Sequence, residues 1–195
     1  MATLRATNIE ELEAQLLAIS AHSKALVDLA GPDLTTQRPQ PGSWSAAECL
    51  EHLNVSADNF FAVWPLAIAQ AGVRKENSKP YRVDFWGRVL SWVLEPPPRF
   101  KSKTPKWFEP AQALEIGNVL QGFLDRQQQM IATLGHCRGR AVDEVKIASP
   151  VDARVKYSVW SSFVVTAAHE RRHLWQAEQA VNALRTRAFS AAKVG

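Results

Sequence analysis

The stretch Ala167-Ala168-His169-Glu170-Arg171-Arg172-His173-Leu174-Trp175-Gln176 decides how the chain is read. On a helix, histidines four residues apart are separated by about 40° of rotation and about 6 Å of rise. Both imidazoles then lean toward one point, where a metal ion can sit. In a zinc protease the literal pattern His-Glu-x-x-His supplies two ligands and a general base. Around the stretch runs an apolar period, Trp160, Phe163, Val164, Ala167, Leu174 and Val181, which predicts a helix from about Ser158 to Leu184. Thr166, His169, His173 and Gln176 form a stripe beside that face, so the histidines look inward or toward a groove.

Three more helices precede it. Thr7 and Asn8 ahead of Glu10 and Glu11 have capping-box spacing, and Leu12, Leu16, Ile19, Leu26 and Leu29 carry a helical period to about Ala30, where Gly31-Pro32 stops it. A loop of about fifteen residues then leads to Ser45, long by the usual priors. Ser45 and Glu48 form a second capping box, with Trp44 placed to staple onto Cys49. Leu50, Leu53, Ala57, Phe60, Phe61 and Trp64 continue the apolar face until Pro65 ends or kinks the helix. His52 lies on or beside that face, where a lone histidine is more often a core or surface residue than a ligand. In the third helix Pro110 suits the first turn, Leu114, Leu120, Phe123, Leu124, Ile131 and Leu134 point inward, and Gly135 terminates. Val145 and Ile147 suggest a short extended piece.

Residues 72–110 are the least regular. An amphipathic segment, Asp84 to Leu94, is flanked by Pro80, Pro96-Pro97-Pro98, Pro105 and Pro110, and from Arg74 to Trp107 nine Lys or Arg face three acids. Basic residues interleaved with Phe100, Trp107 and Phe108 can bind nucleic acid or an anionic substrate. With no motif organising the charges, a solvated loop is the preferred reading. The whole predicts an all-α fold, a four-helix bundle with long crossover connections, in one domain over residues 1–195 with a basic, proline-rich insert at about 72–110. In such bundles metal sites are built from side chains on facing helices.

Composition narrows the class. A net charge of +4 over 195 residues is too small to argue for nucleic acid unaided. Seven tryptophans imply a thick core or an aromatic-lined cavity, with core and subunit contact expected for most. Cys49 and Cys137 form no Cys-x-x-Cys motif, which suits a reduced cytoplasmic setting. Glu10, Glu11 and Glu13 stand where a signal peptide needs an apolar core, and no apolar run is long enough to span a bilayer. No membrane partner is expected.

The protease reading then fails twice. Only 22 residues follow His173, Glu178 lies about 140° away on the same helix, and Arg171 and Arg172 put two cations inside the motif. His52 is the alternative third ligand. Trp44-Ser45 opening a helix that leads to Glu51-His52-Leu53, followed late in the chain by His169-x-x-Arg172-His173-x-x-Gln176, resembles the DinB-like proteins, described also as DinB/YfiT-like metalloenzymes. The resemblance spans most of the chain. It implies a DinB/YfiT-like bundle in which His52, His169 and His173 hold a divalent metal. Imidazole suits zinc, nickel and other late first-row ions. Gln176 and Thr166, on the same stripe, are placed to orient ligands, and Arg172 to meet an anionic group or a salt-bridge partner. Glu170 points about 100° from His169, which suggests a surface or ion-pair role.

By the same resemblance the activity is a thiol-dependent S-transferase, with a low-molecular-weight thiol as co-substrate and a small-molecule electrophile. A metal-dependent hydrolase and a non-catalytic, stress-related metal-binding or interaction protein are the alternatives. A homodimer is expected, as the commonest symmetric assembly. Nucleic acid is not expected as a partner.

Overall fold

A computed structural model describes residues 6–75, 79–99, 104–111 and 114–191 of the chain. Phe100, Lys101 and Lys103 of the insert lie outside them. Helix α1 (Ile9–Thr36) opens on Asn8, whose side chain accepts the Glu11 N–H at 2.8 Å, while the Glu11 carboxylate accepts the Thr7 N–H at 2.7 Å. Such caps satisfy amide donors that a helix start leaves orphaned. The helix breaks where expected, at Gly31 (φ 74°) before Pro32. It then resumes to Thr36, because Pro32 suits the start of a new turn and Thr35 Oγ1 donates to the Gly31 carbonyl at 2.8 Å. The connection to α2 is therefore residues 37–45, shorter than expected.

Helix α2 (Ala46–Phe61) carries the complete Ser45–Glu48 capping box, and Trp44 packs on the group that holds Cys49. A short α3 (Trp64–Gln70) takes Pro65 into its first turn, so α2 ends ahead of that proline. Next come α4 (Phe85–Leu94), a 3-10 turn (Lys106–Phe108) and α5 (Ile116–Gly135). Pro110 lies outside α5, contrary to expectation. Glu115 is its N-cap, with carboxylate oxygens accepting the Gly117 and Asn118 N–H groups. Strands β1 (Lys146–Ala148) and β2 (Lys156–Ser158) pair antiparallel, Ile147 opposite Tyr157. Only the first was signalled by periodicity. Helix α6 (Val159–Ala191) completes the chain.

Helices α1 and α2 each pack along both α5 and α6 and meet each other little. The order around the bundle is thus α1, α5, α2, α6. Both the α1–α2 and the α5–α6 connections cross a diagonal, as expected of a bundle with crossover connections. Leu12, Leu16, Leu50, Leu53, Phe123, Met130, Leu134, Trp160, Phe163 and Leu174 fill the core. No helix among the described residues is long and apolar enough to cross a membrane.

Helix α4 lies outside the bundle, on α6, and Asp84 fastens it. Its carboxylate caps Gly87 N–H at 2.9 Å, accepts Ser158 N–H at 2.6 Å and pairs with Lys146, while its own N–H donates to Ser161 Oγ at 3.0 Å. Burial works to raise the Asp84 pKa, but the bonds from Lys146, Gly87 and Ser158 outweigh it and hold the pKa below the ordinary value. With a depressed folded pKa, the stabilisation is fully present above about pH 3.9 and is lost as the pH falls through the folded value. Asp84→Ala is expected to cost about 1–2 kcal/mol at pH 7 in denaturant melts, from the lost cap and its companion bonds. That difference should shrink toward pH 2. A pH-independent difference would assign the loss to packing.

Candidate metal centre

Three histidines meet on the α2–α6 face. His52 is in the second turn of α2, and His169 and His173 are one turn apart on α6, set by the four-residue spacing. One nitrogen from each lies within 4.8 Å of the others. Ring centroids are 5.1 Å apart for His52 and His169, 4.5 Å for His52 and His173, and 4.6 Å for His169 and His173. His52 and His173 are buried and His169 is half-buried.

The tautomer of His52 follows from its partner. Its Nδ1 lies 2.7 Å from the Phe108 carbonyl, so Nδ1–H donates there and Nε2 keeps its lone pair. That Nε2 stands 3.2 Å from Nε2 of His169. Either His169 donates across this gap or a cation sits between two lone pairs. Nitrogens bound to one tetrahedral zinc at about 2.0–2.1 Å are about 3.3 Å apart, so the spacing accommodates both cases. The buried Nδ1 of His173 has no hydrogen-bond partner, a mark of a ligand set.

Electrostatics favour the neutral imidazoles that bind metals. Burial lowers the pKa of His52 against the pull of the Phe108 carbonyl. Burial, then His52 and Arg172, lower His169 to about 3. His173 is pushed well below its usual value by burial, His169, His52 and Arg172, opposed by a hydrogen bond that the ring donates to Gln176. At neutral pH the three donors need shed no proton to take up a cation.

Of the orienting residues expected from sequence, Gln176 touches His173, while Thr166 is buried one turn before Glu170 with Oγ1 unpartnered. Half-buried Arg172 reaches the Val93 carbonyl at 3.4 Å, at the end of α4, and lowers the pKa of both α6 histidines. Glu170 departs from its expected surface role. It is 2% exposed, accepts the Gln127 Nε2–H at 2.7 Å from α5, and leaves Oε2 without a partner. Burial raises its pKa to about 7, against Gln127 and Arg171. It lies about 100° around the helix from His169, and in a helix packed on two sides that direction meets the core.

Two contributors went unseen in the sequence. The Trp44 ring stands 5.0 Å from His52 and 5.8 Å from His173, forming a wall of the centre, and the Phe108 backbone orients His52. Gln127 was detectable as a polar residue on the inward stripe between Phe123 and Ile131. Cys49 is fully buried, and burial, then Glu48, drive its thiol pKa up, leaving it a packing residue.

No curated protein and no solved structure matches the chain. The model of the DinB superfamily matches residues 15–177, a span that contains all three histidines, Trp44 and Phe108. Taken with a helical bundle whose α2 and α6 bring His52 against His169 and His173, that match over most of its length shows that the chain belongs to the DinB superfamily.

Proposed function

We propose that the protein is a metal-dependent enzyme of the thiol-dependent S-transferase type, with zinc or nickel held by His52, His169 and His173 and a low-molecular-weight thiol as co-substrate. The observation that supports it is the convergence of three neutral imidazoles from two helices beside an apolar wall. An ion bound there supplies Lewis acidity, with positions left open for a thiol or water. The chain's residues prepare the place. The Phe108 carbonyl holds the Nδ1 proton of His52 so that Nε2 faces inward. Gln176 restrains His173, and the Trp44 ring limits water and offers apolar surface to an electrophile. The reading takes the chain as one domain, working in the cytoplasm as a homodimer on a small-molecule substrate.

The test is an assay of protein reconstituted with zinc or nickel against a panel of small thiols with an activated aryl halide. Thiol loss that requires the metal and stops on chelation is the expected result. Hydrolysis of an activated ester without thiol consumption would transfer the centre to the hydrolase reading. Neither activity would leave a metal-binding protein without catalysis.

A further inference from the structure

Helix α4 carries large aromatic side chains on its outer face. Its sequence, Phe85-Trp86-Gly87-Arg88-Val89-Leu90-Ser91-Trp92-Val93-Leu94, has a single charge, and its fully buried residues are the small Gly87 and Ser91. A Cβ on Gly87 would fall 2.5 Å from Ser161 Cβ, so small side chains are what let α4 lie close to α6. Leu90 packs toward the core, and the largest side chains face away. Phe85, Trp86 and Trp92 are 62%, 43% and 46% exposed. Phe85 and Trp92, seven residues apart, share one line of the helix within about 20°, with Val89 between them. A contiguous exposed apolar face of this kind ordinarily has something that covers it.

Among the described residues of 79–99, the exposed charges have one sign. Asp84 and Glu95, acids of this segment, are turned inward, Asp84 onto Lys146 and Ser158, Glu95 onto Arg171. Arg82, Arg88 and Arg99 are exposed, and the Arg99 guanidinium stacks on Trp92, 4.6 Å from the ring centroid.

We propose that the outer face of α4, with the cations around it, docks on an anionic bilayer surface. Charge complementarity selects this occupant. A self-association through this face would set one cationic surface against another, with the acids Asp84 and Glu95 turned inward. A nucleic acid would leave a helix with one charge in ten residues largely unmatched. Tryptophan and phenylalanine flanked by arginine suit the headgroup boundary, where the rings sink in and the cations meet lipid phosphates. At about 15 Å the helix is too short to span and long enough to lie in the interface. Through Arg172 and the Val93 carbonyl the docked helix adjoins the histidine-bearing helix α6. The inference does not depend on metal or on thiol chemistry.

The test is flotation of the full chain with vesicles of phosphatidylcholine alone or with phosphatidylglycerol added. Binding is expected only to the anionic vesicles, weakening as salt is raised. Trp86→Ser with Trp92→Ser, and separately Arg82→Glu with Arg88→Glu, should each lower binding at least about tenfold, with helix content and metal content unchanged. His52→Ala should float like the parent, which separates this proposal from the metal reading. No flotation with anionic vesicles at low salt would overturn it, as would equal binding to neutral ones. Retention of a DNA oligonucleotide without vesicle binding would overturn it in favour of nucleic acid. A dimer dissolved by the tryptophan substitutions without vesicle binding would overturn it in favour of a second copy.

Discussion

His52→Ala is expected to take the purified protein from near-stoichiometric divalent metal to almost none. The side chain contributes one of three nitrogens within 4.8 Å of one another, and the only one that comes from α2. Without it, His169 and His173 remain as a pair on one helix, with no further His, Cys, Asp or Glu of the described residues in the group. Loss of a direct ligand should exceed the 10–100-fold that loss of an orienting partner typically costs. Two effects on stability accompany it. The Phe108 carbonyl loses its donor in a buried setting, worth about 1–3 kcal/mol, and the stabilisation that ligand binding confers on the folded state disappears.

The measurement is elemental analysis of untagged parent and variant, followed by thermal melts with added zinc. Zinc should raise the melting temperature of the parent and leave the variant unmoved. Metal retained by His52→Ala would remove His52 from the centre and reopen the protease-like reading of His169-Glu170-x-x-His173. A metal-free parent that takes up neither zinc nor nickel would leave the histidines structural.

The bundle was legible because its signals are local. Capping residues, a 3.6-residue period and the prolines and glycines that interrupt it lie within a few positions of what they specify. The starts at Asn8 and Ser45 and the break at Gly31 follow from them. The start of α5 did not, since Pro110 and Glu115 both suit a first turn and only the fold shows which one caps. His169 and His173 were legible together through their spacing, and His52 joined them only through a resemblance. Its partner His169, 117 residues away, leaves no local trace. The Phe108 carbonyl could not have been found, because every residue has one. Glu170 shows the limit from the other side: helical geometry gives a direction but not what waits there, and Gln127 on α5 decides it. The tryptophans divide likewise. Trp64 and Trp160 are core, Trp44 lines the histidine centre, and Trp86, Trp92 and Trp107 are exposed.

Trp64→Ala is expected to destabilise the protein by about 3–5 kcal/mol, a large share of what a domain of this size has. The ring is 0% exposed, stacks on Phe163 of α6 at 4.0 Å and on Phe60 of α2 at 5.1 Å, and donates its Nε1–H to Ser162 Oγ at 2.7 Å. Truncation leaves a cavity between the two helices that bear the histidines, and the stacked neighbours are held by elements on both sides and close it only in part. Trp64→Phe separates the contributions. It keeps most of the packing and removes the hydrogen bond, and Ser162 still donates to the Val159 carbonyl at 2.6 Å, so about 1 kcal/mol should be lost. Urea unfolding with and without zinc reads both. Because metal binding stabilises by RT ln(1 + [L]/Kd), zinc at about a hundred times Kd should restore about 2.7 kcal/mol to either variant if α2 and α6 keep their register. A loss below about 1 kcal/mol in Trp64→Ala would mean that Phe60 and Phe163 collapse into the space. A full loss that zinc cannot offset would mean that this aromatic stack, rather than the ion, sets the distance between the histidine-bearing helices.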